Sequence, residues 1–166
     1  MKKRWVSLYV ENEIGVLAKI TGLFSAKSYN LDSLTVGETE DRTISRMTIG
    51  LTSDDVTFEQ IKKQLNRSVE VIKVVDYTDI AICIKEILFV KISNCSKEDK
   101  SEIFRMANVF GITVTDYDKS NVLLESVQSE TNNNDIIRLL DKSFCNRTEI
   151  VRGGSVAIES ISMSNR

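Results

Sequence analysis

"VENEIGVLAKITGLFSAKSYNLDSLTV", residues 10–36, changes its periodicity twice, and the fold follows from those two changes. Leading into it, Trp5, Ser7 and Tyr9 alternate with Val6, Leu8 and Val10, the period of two that marks a strand with unlike faces. After the polar turn that ends in Gly15, Val16, Leu17, Ile20, Leu23, Phe24 and Lys27 fall on one face at helical spacing. That spacing predicts an amphipathic helix ending near Ser28 to Asn30. "LDSLTVG", from Leu31, reads as strand again.

Outward from this stretch, the polar turn "ETEDRT" leads to "ISRMTIGL", in which Met47, Ile49 and Leu51 alternate with Arg46, Thr48 and Gly50. The two flanking strands therefore predict a hairpin with one buried face. Thr57 followed by Gln60 has the spacing of a capping box, with Phe58, Ile61 and Leu65 as the apolar stripe of a second helix. "VEVIKVVDY" is a fourth strand. The order β-α-β-β-α-β is that of a split βαβ, or ferredoxin-like, unit: one antiparallel sheet with two helices on one face.

From about Ile80 the order repeats. "EILFVKIS" reads as strand, Ser96 caps a helix carrying Ile103, Met106, Ala107 and Phe110, and "ITVTDY" with "VLLESVQ" forms another hairpin. "NNNDIIRLLDKSF" predicts a shorter helix with Ile136, Ile137, Leu140 and Phe144 inward, and Gly153 with Gly154 breaks "TEIVRGGSVAIESI" into two short strands. The expected fold class is α+β, two tandem ferredoxin-like βαββαβ domains, at residues 1–79 and 80–166.

Composition excludes much. At 166 residues, 42% hydrophobic and 28% charged, the chain can bury a core without metal or disulfide staples. A net charge of -2 and a pI near 5.3 argue against nucleic acid or an anionic membrane as partner. There is no histidine, which removes His-based acid/base and triad chemistry. Cys83, Cys95 and Cys145 are odd in number and widely spaced, so they read as free thiols in a reducing cytoplasm rather than as a disulfide framework or zinc site. No run approaches the roughly 20 apolar residues of a membrane span.

The first turn carries the candidate chemistry. A strand that hands directly to a helix puts the amides of "NEIG" at a helix N-terminus, where unpaired N–H groups and the dipole favour a carboxylate. Gly15 lets a ligand approach the backbone, and Asn12 both donates and accepts, as an amino-acid ligand demands. On spacing alone, a capped turn is the commoner meaning. The stretch "GVLAKITG" is no Walker loop, and no G-x-G-x-x-G occurs.

The longer string "VENEIGVLAKITGLFSAKSYNLDSLTVGETEDRTISRMTIGL" resembles the N-terminal ACT domain of acetolactate synthase (acetohydroxyacid synthase) small subunits, the match running from Arg4 to Tyr77. "KEILFVKIS" and "TEIVRGGSVAI" resemble anchor points of that family's C-terminal domain. The resemblance implies a protein without catalysis of its own that activates a catalytic subunit and carries feedback inhibition by valine, in branched-chain amino acid synthesis. Thiamin diphosphate, Mg and FAD belong, on this reading, to the catalytic partner only. It further implies a homodimer whose ACT domains pair side by side. The effector loop would be Asn12, Glu13, Ile14, Gly15, Val16 and Leu17, completed by Asn30, Leu31 and Asp32 of the second protomer. Ser45, Arg46 and Thr48 are the expected contact with the catalytic subunit.

Departures from the family accompany the match. Ser28 stands where glycine is usual, Glu38 and Arg42 stand where prolines often flank the hairpin turn, and "SVQSETNNND" replaces a Thr-Gly before the last helix. The lost prolines predict a looser turn. A stand-alone ACT-type sensor of another enzyme is the alternative. An acylphosphatase-like hydrolase lacks the loop arginine it needs, and an RRM-type module lacks its exposed aromatics.

Overall fold

The computed structural model describes residues 1–161. The last five, which the expected second domain included, lie outside the described residues. In the first unit, β1 (Lys2–Glu11), α1 (Val16–Ser25), β2 (Ser33–Glu38), β3 (Ile44–Ser53), α2 (Asp55–Leu65) and β4 (Val71–Asp76) form an antiparallel sheet in the order β2-β3-β1-β4. The second unit repeats the scheme with β5 (Ile82–Ile92), α3 (Lys97–Phe110), β6 (Thr113–Tyr117), β7 (Val122–Gln128), α4 (Glu130–Ser143) and β8 (Thr148–Arg152), in the order β6-β7-β5-β8. A last strand, β9 (Val156–Glu159), pairs with β5.

Each unit has its own core. Val6, Leu8 and Val10 of β1 and Met47, Ile49 and Leu51 of β3 meet Val16, Ile20 and Phe24 of α1 and Phe58, Ile61 and Leu65 of α2, all nearly dry. Such side chains contribute roughly 1.5–3 kcal/mol each. In the second unit Leu88, Val90 and Ile92 play the same part against Ile103, Ala107, Ile136, Leu140 and Phe144. Of the expected core, Met106 and Ile137 are half-buried and Phe110 is exposed.

The compact units are Met1–Cys83 together with the chain from Ser155 on, and Ile84–Gly154. Sequence placed the final strand with the second half. It is grouped with the first because Ser155, Ala157 and Ser160 all bond to residues of that unit. Gly153 and Gly154 do separate two short strands, as their spacing predicts.

Three local expectations are corrected. Helix α1 stops at Ser25 rather than near Ser28, because Ser28 enters the left-handed region at φ 57 and Tyr29 N–H turns back to Phe24 O at 3.0 Å. Helix α2 is capped by Asp54, whose carboxylate accepts from Thr57 N–H at 2.8 Å, so Thr57 is inside the first turn and is no capping box. Helix α4 is as long as α3, 14 residues, since Ser129 caps it and the asparagines join its first turns. Ser96 caps α3 in a full capping box with Asp99.

Candidate functional site

Strand β1 delivers Asn12 to the turn before α1, and its polar groups are all engaged. Its backbone N–H donates to Thr43 O at 2.7 Å, its Nδ2 donates to Arg42 O at 2.9 Å and Glu38 Oε1 at 3.4 Å, and its Oδ1 accepts from Ser45 Oγ at 2.9 Å. Asn12 thus welds the start of the loop to the β2–β3 hairpin. An oxygen with two lone pairs keeps room for one more donor, such as an ammonium.

The hairpin turn has hydrogen bonds of its own near the positions of the missing prolines. Asp41 accepts from Thr43 N–H at 2.9 Å and Thr43 Oγ1 at 2.7 Å, and these bonds hold its carboxyl below the usual carboxylate range. Hydrogen bonds do there what restricted φ angles would do elsewhere.

Gly15 is the N-cap of α1 at φ 91, with no side-chain bond to the helix amides and no acidic residue in the first turn. A Cβ on Gly15 would meet nothing within 4 Å. Glycine adopts this backbone without strain, and although Val16 N–H turns back to Glu13 O at 3.3 Å, no side chain caps the amides that follow it. Around it Glu13 is exposed, Ile14 is fully exposed and Leu17 is partly so, while Val16 turns into the core. The expected loop is therefore one exposed apolar-and-amide surface, less Val16. Lys19, one turn on, pairs with Glu70, which together with Glu11 and Glu13 favours its charged form.

Asn30, Leu31 and Asp32 stand elsewhere. Asp32 N–H donates to Gly50 O at 2.9 Å, its Oδ2 accepts from Thr52 Oγ1 at 2.7 Å, and Asn30 Nδ2 reaches its Oδ1 at 3.4 Å. Leu31 packs against the core. Gly50 pairs with Trp5, and the loop leaves β1 at Glu11, so the two stretches sit at opposite ends of the sheet, roughly 20 Å apart along an extended strand. One chain does not bring them together. Between them runs β2, an edge strand of the first sheet whose outer side pairs with no strand among the described residues.

Ser45, Arg46 and Thr48, expected to meet the catalytic subunit, are engaged within the chain. Ser45 and Thr48 are 6% and 3% exposed, and Ser45 is spent on Asn12. Arg46 is bonded on several sides: its Nε donates to Ser7 Oγ at 2.8 Å, its Nη2 donates to Ala157 O at 2.7 Å and to Tyr77 Oη, and its guanidinium lies 5.4 Å from the Tyr9 ring centre. These residues hold the sheet together. Sequence reasoning also missed a buried network in the second unit. Asn133, fully buried, joins Ser126 Oγ at 2.8 Å and Glu86 Oε1 at 3.0 Å, and Arg152 completes the set at Glu86. Among the described residues no helix is long and apolar enough to cross a membrane.

A βαββαβ unit with a glycine-led, uncapped first helix and a free edge strand beside it is a domain of ACT type, here followed by a second unit of the same topology. A family model described as "AHAS small subunit-like ACT domain" matches residues 6–73, and one described as "Small subunit of acetolactate synthase" matches residues 85–161. The acetolactate synthase small subunit of Aquifex aeolicus is 37% identical over 158 residues, covering 95% of this chain and 81% of that one. That of Haemophilus influenzae is 34% identical over 156 residues, covering 94% of each. The crystal structure of the acetolactate synthase small subunit from Thermotoga maritima superposes with a TM-score of 0.87 at 32% identity, covering 98% of this chain and 100% of that one. The chain belongs to the acetolactate synthase small-subunit family.

Proposed function

We propose that this chain, a regulatory subunit by family, raises the activity of a thiamin-diphosphate-dependent catalytic subunit and carries feedback inhibition by valine or a closely related branched-chain amino acid. It works as a homodimer, and thiamin diphosphate, Mg and FAD belong to the catalytic partner. The observation that supports this most is the split of the candidate site. Asn12–Leu17 and Asn30–Asp32 lie at opposite ends of one sheet, and β2, which runs between them, is one of its two edge strands among the described residues. Two copies joined antiparallel along β2 would bring one chain's loop beside the other chain's strand start.

At that seam the helix amides at Gly15 meet the effector carboxylate, Asn12 Oδ1 meets its ammonium, and Leu17 or Ile14 meets the side chain. Discrimination between valine and one more methylene is worth only about 1–3 kcal/mol, so several branched chains compete for the same seam. On this reading the catalytic subunit meets exposed surface, since Ser45 and Thr48 are buried and Arg46 is bonded within the chain.

The test is acetolactate formation by the same organism's catalytic subunit, with and without this chain, titrated with valine, leucine and isoleucine. The expected result is stimulation by the chain and its reversal by one of the three. Absence of stimulation at saturating chain, together with no heat of binding for any of the three, defeats the proposal.

A further inference from the structure

We infer that the segment Ser155–Ser160 is a clasp whose docking on the first sheet is coupled to ligand binding at Asn12, so that the state of the β1–α1 loop is passed to the chain continuing from β8. The inference rests on the amino-acid-sensing reading above and adds the route by which a bound effector is felt.

The first sheet's face away from its helices is unusually polar for a buried surface. Ser7 and Thr48 are 0% and 3% exposed, and Arg46, on the same face, is half-buried. Buried polar groups require partners. Ser7 finds its partners within the sheet, in Met47 O and Arg46 Nε, whereas Arg46 and the nearby Ser33, Thr35 and Tyr77 reach one short segment. Ser155 N–H donates to Ser33 Oγ at 3.0 Å, Thr35 Oγ1 donates to Ser155 O at 3.0 Å, and Ala157 O accepts from Arg46 Nη2 at 2.7 Å and Tyr77 Oη at 3.4 Å. Ser160 N–H closes the run on Ala81 O at 2.8 Å. The segment thus touches β2, β3 and the end of β4 in turn.

Little apolar burial assists it. Val156 and Ile158 are 56% and 58% exposed, and Ala157 is the buried apolar residue, next but one to the buried Ser155. Beside the pairing of β9 with β5, the segment's hold on the first sheet is a set of individual hydrogen bonds, each worth about 1 kcal/mol net, and a hold of that kind opens locally while the sheet stays folded. Such an element has two discrete states for a ligand to bias.

Both halves of the candidate effector site abut the clasp's anchors. Asn12 accepts from Ser45 Oγ, and Arg46, the next residue of β3, holds Ala157. Asp32, in the other half, directly precedes Ser33, the acceptor of Ser155 N–H. An ammonium at Asn12 Oδ1 shares that oxygen with Ser45, and any shift of β3 there moves the Arg46 bonds. Coupling is reciprocal: if the effector stabilises the docked clasp, the docked clasp raises effector affinity by the same factor.

The experiment uses the full chain. Hydrogen exchange at the Ser155 and Ser160 amides is measured with and without saturating valine, and valine affinity is measured by calorimetry on the native chain and on the double variant Thr35→Val/Tyr77→Phe. This variant removes two clasp bonds and leaves every candidate effector residue in place. The expected result is at least about fivefold slower exchange at both amides with valine, and at least about fivefold weaker valine binding by the variant, within the usual allosteric range. Unchanged exchange in the β1 amides of the variant shows that the sheet remains folded. If valine gives heat with the native chain but leaves the Ser155 and Ser160 amides unaffected, the coupling is refuted while sensing stands. The native-chain exchange measurement decides the matter even if the variant fails to fold. No heat from valine, leucine or isoleucine removes the sensing reading and this inference with it.

Discussion

The six-membered ring of Trp5 covers Gly50 so closely that a Cβ on that glycine would lie 2.4 Å from it. The pair faces each other across β1 and β3, next to the Gly50 carbonyl that anchors Asp32. Gly50→Ala therefore expels the ring, an overpacking cost of about 1–3 kcal/mol. Trp5 is the chain's one tryptophan, so a urea titration followed by its emission reads both effects: a lower midpoint and a red-shifted native spectrum. An unchanged spectrum would contradict the contact.

Ser28 holds φ 57 at the end of α1, a conformation that costs an L residue about 1–2 kcal/mol. Glycine removes that strain and gives back part of the gain as unfolded-chain entropy. Ser28→Gly is expected to stabilise the chain by about 0.5–1 kcal/mol in denaturant unfolding. Destabilisation would show that the serine hydroxyl has a role the backbone does not reveal.

Asn133 is a buried linchpin rather than one of three solvated asparagines. Asn133→Leu leaves Ser126 Oγ without its acceptor and Glu86 without its amide donor, which costs about 2–4 kcal/mol when buried groups lose their partners. Hydrogen exchange is expected to speed up in β5 and β7 far more than in β1 and β3, since the network lies wholly within the second unit.

The Lys19–Glu70 pair sets an acid dependence. A hydrogen bond from Lys19, then backbone N–H and the Ser68 hydroxyl, lower the Glu70 carboxyl from 4.5 to about 2. A carboxyl depressed in the folded state stabilises it above the ordinary value and loses that contribution as pH falls from about 4.5 toward 2. Lys19→Met moves the Glu70 titration back toward 4.5 and flattens the fall in stability across that window. A carbon-detected NMR titration of Glu70, with unfolding midpoints at neutral and acid pH, checks both. The pair is exposed on the lysine side, so added salt weakens the effect.

Periodicity made the layered fold legible, because alternation in "ISRMTIGL" and helical spacing in "VLAKITGLF" each report which side chains leave water. The glycine at the head of α1 and Asn12 before it were legible as a candidate site for the same local reason. The bonding of Arg46 was not legible because alternation gives a face and not its cover: the carbonyl it holds belongs to Ala157, 111 residues away. Asn133 was missed since a run of asparagines has no pattern that distinguishes one buried amide from its solvated neighbours. Asp54 and Thr57 are both good caps, and only the backbone path decided between them.

The distance between Asn12 and Asp32 along a single sheet has a bearing on how much of this chain a cell must make. On the homodimer proposed above, a receptor assembled from two identical halves is lost on dilution, as the square of protomer concentration. Under that proposal, low expression leaves the seam unassembled even with every candidate residue intact.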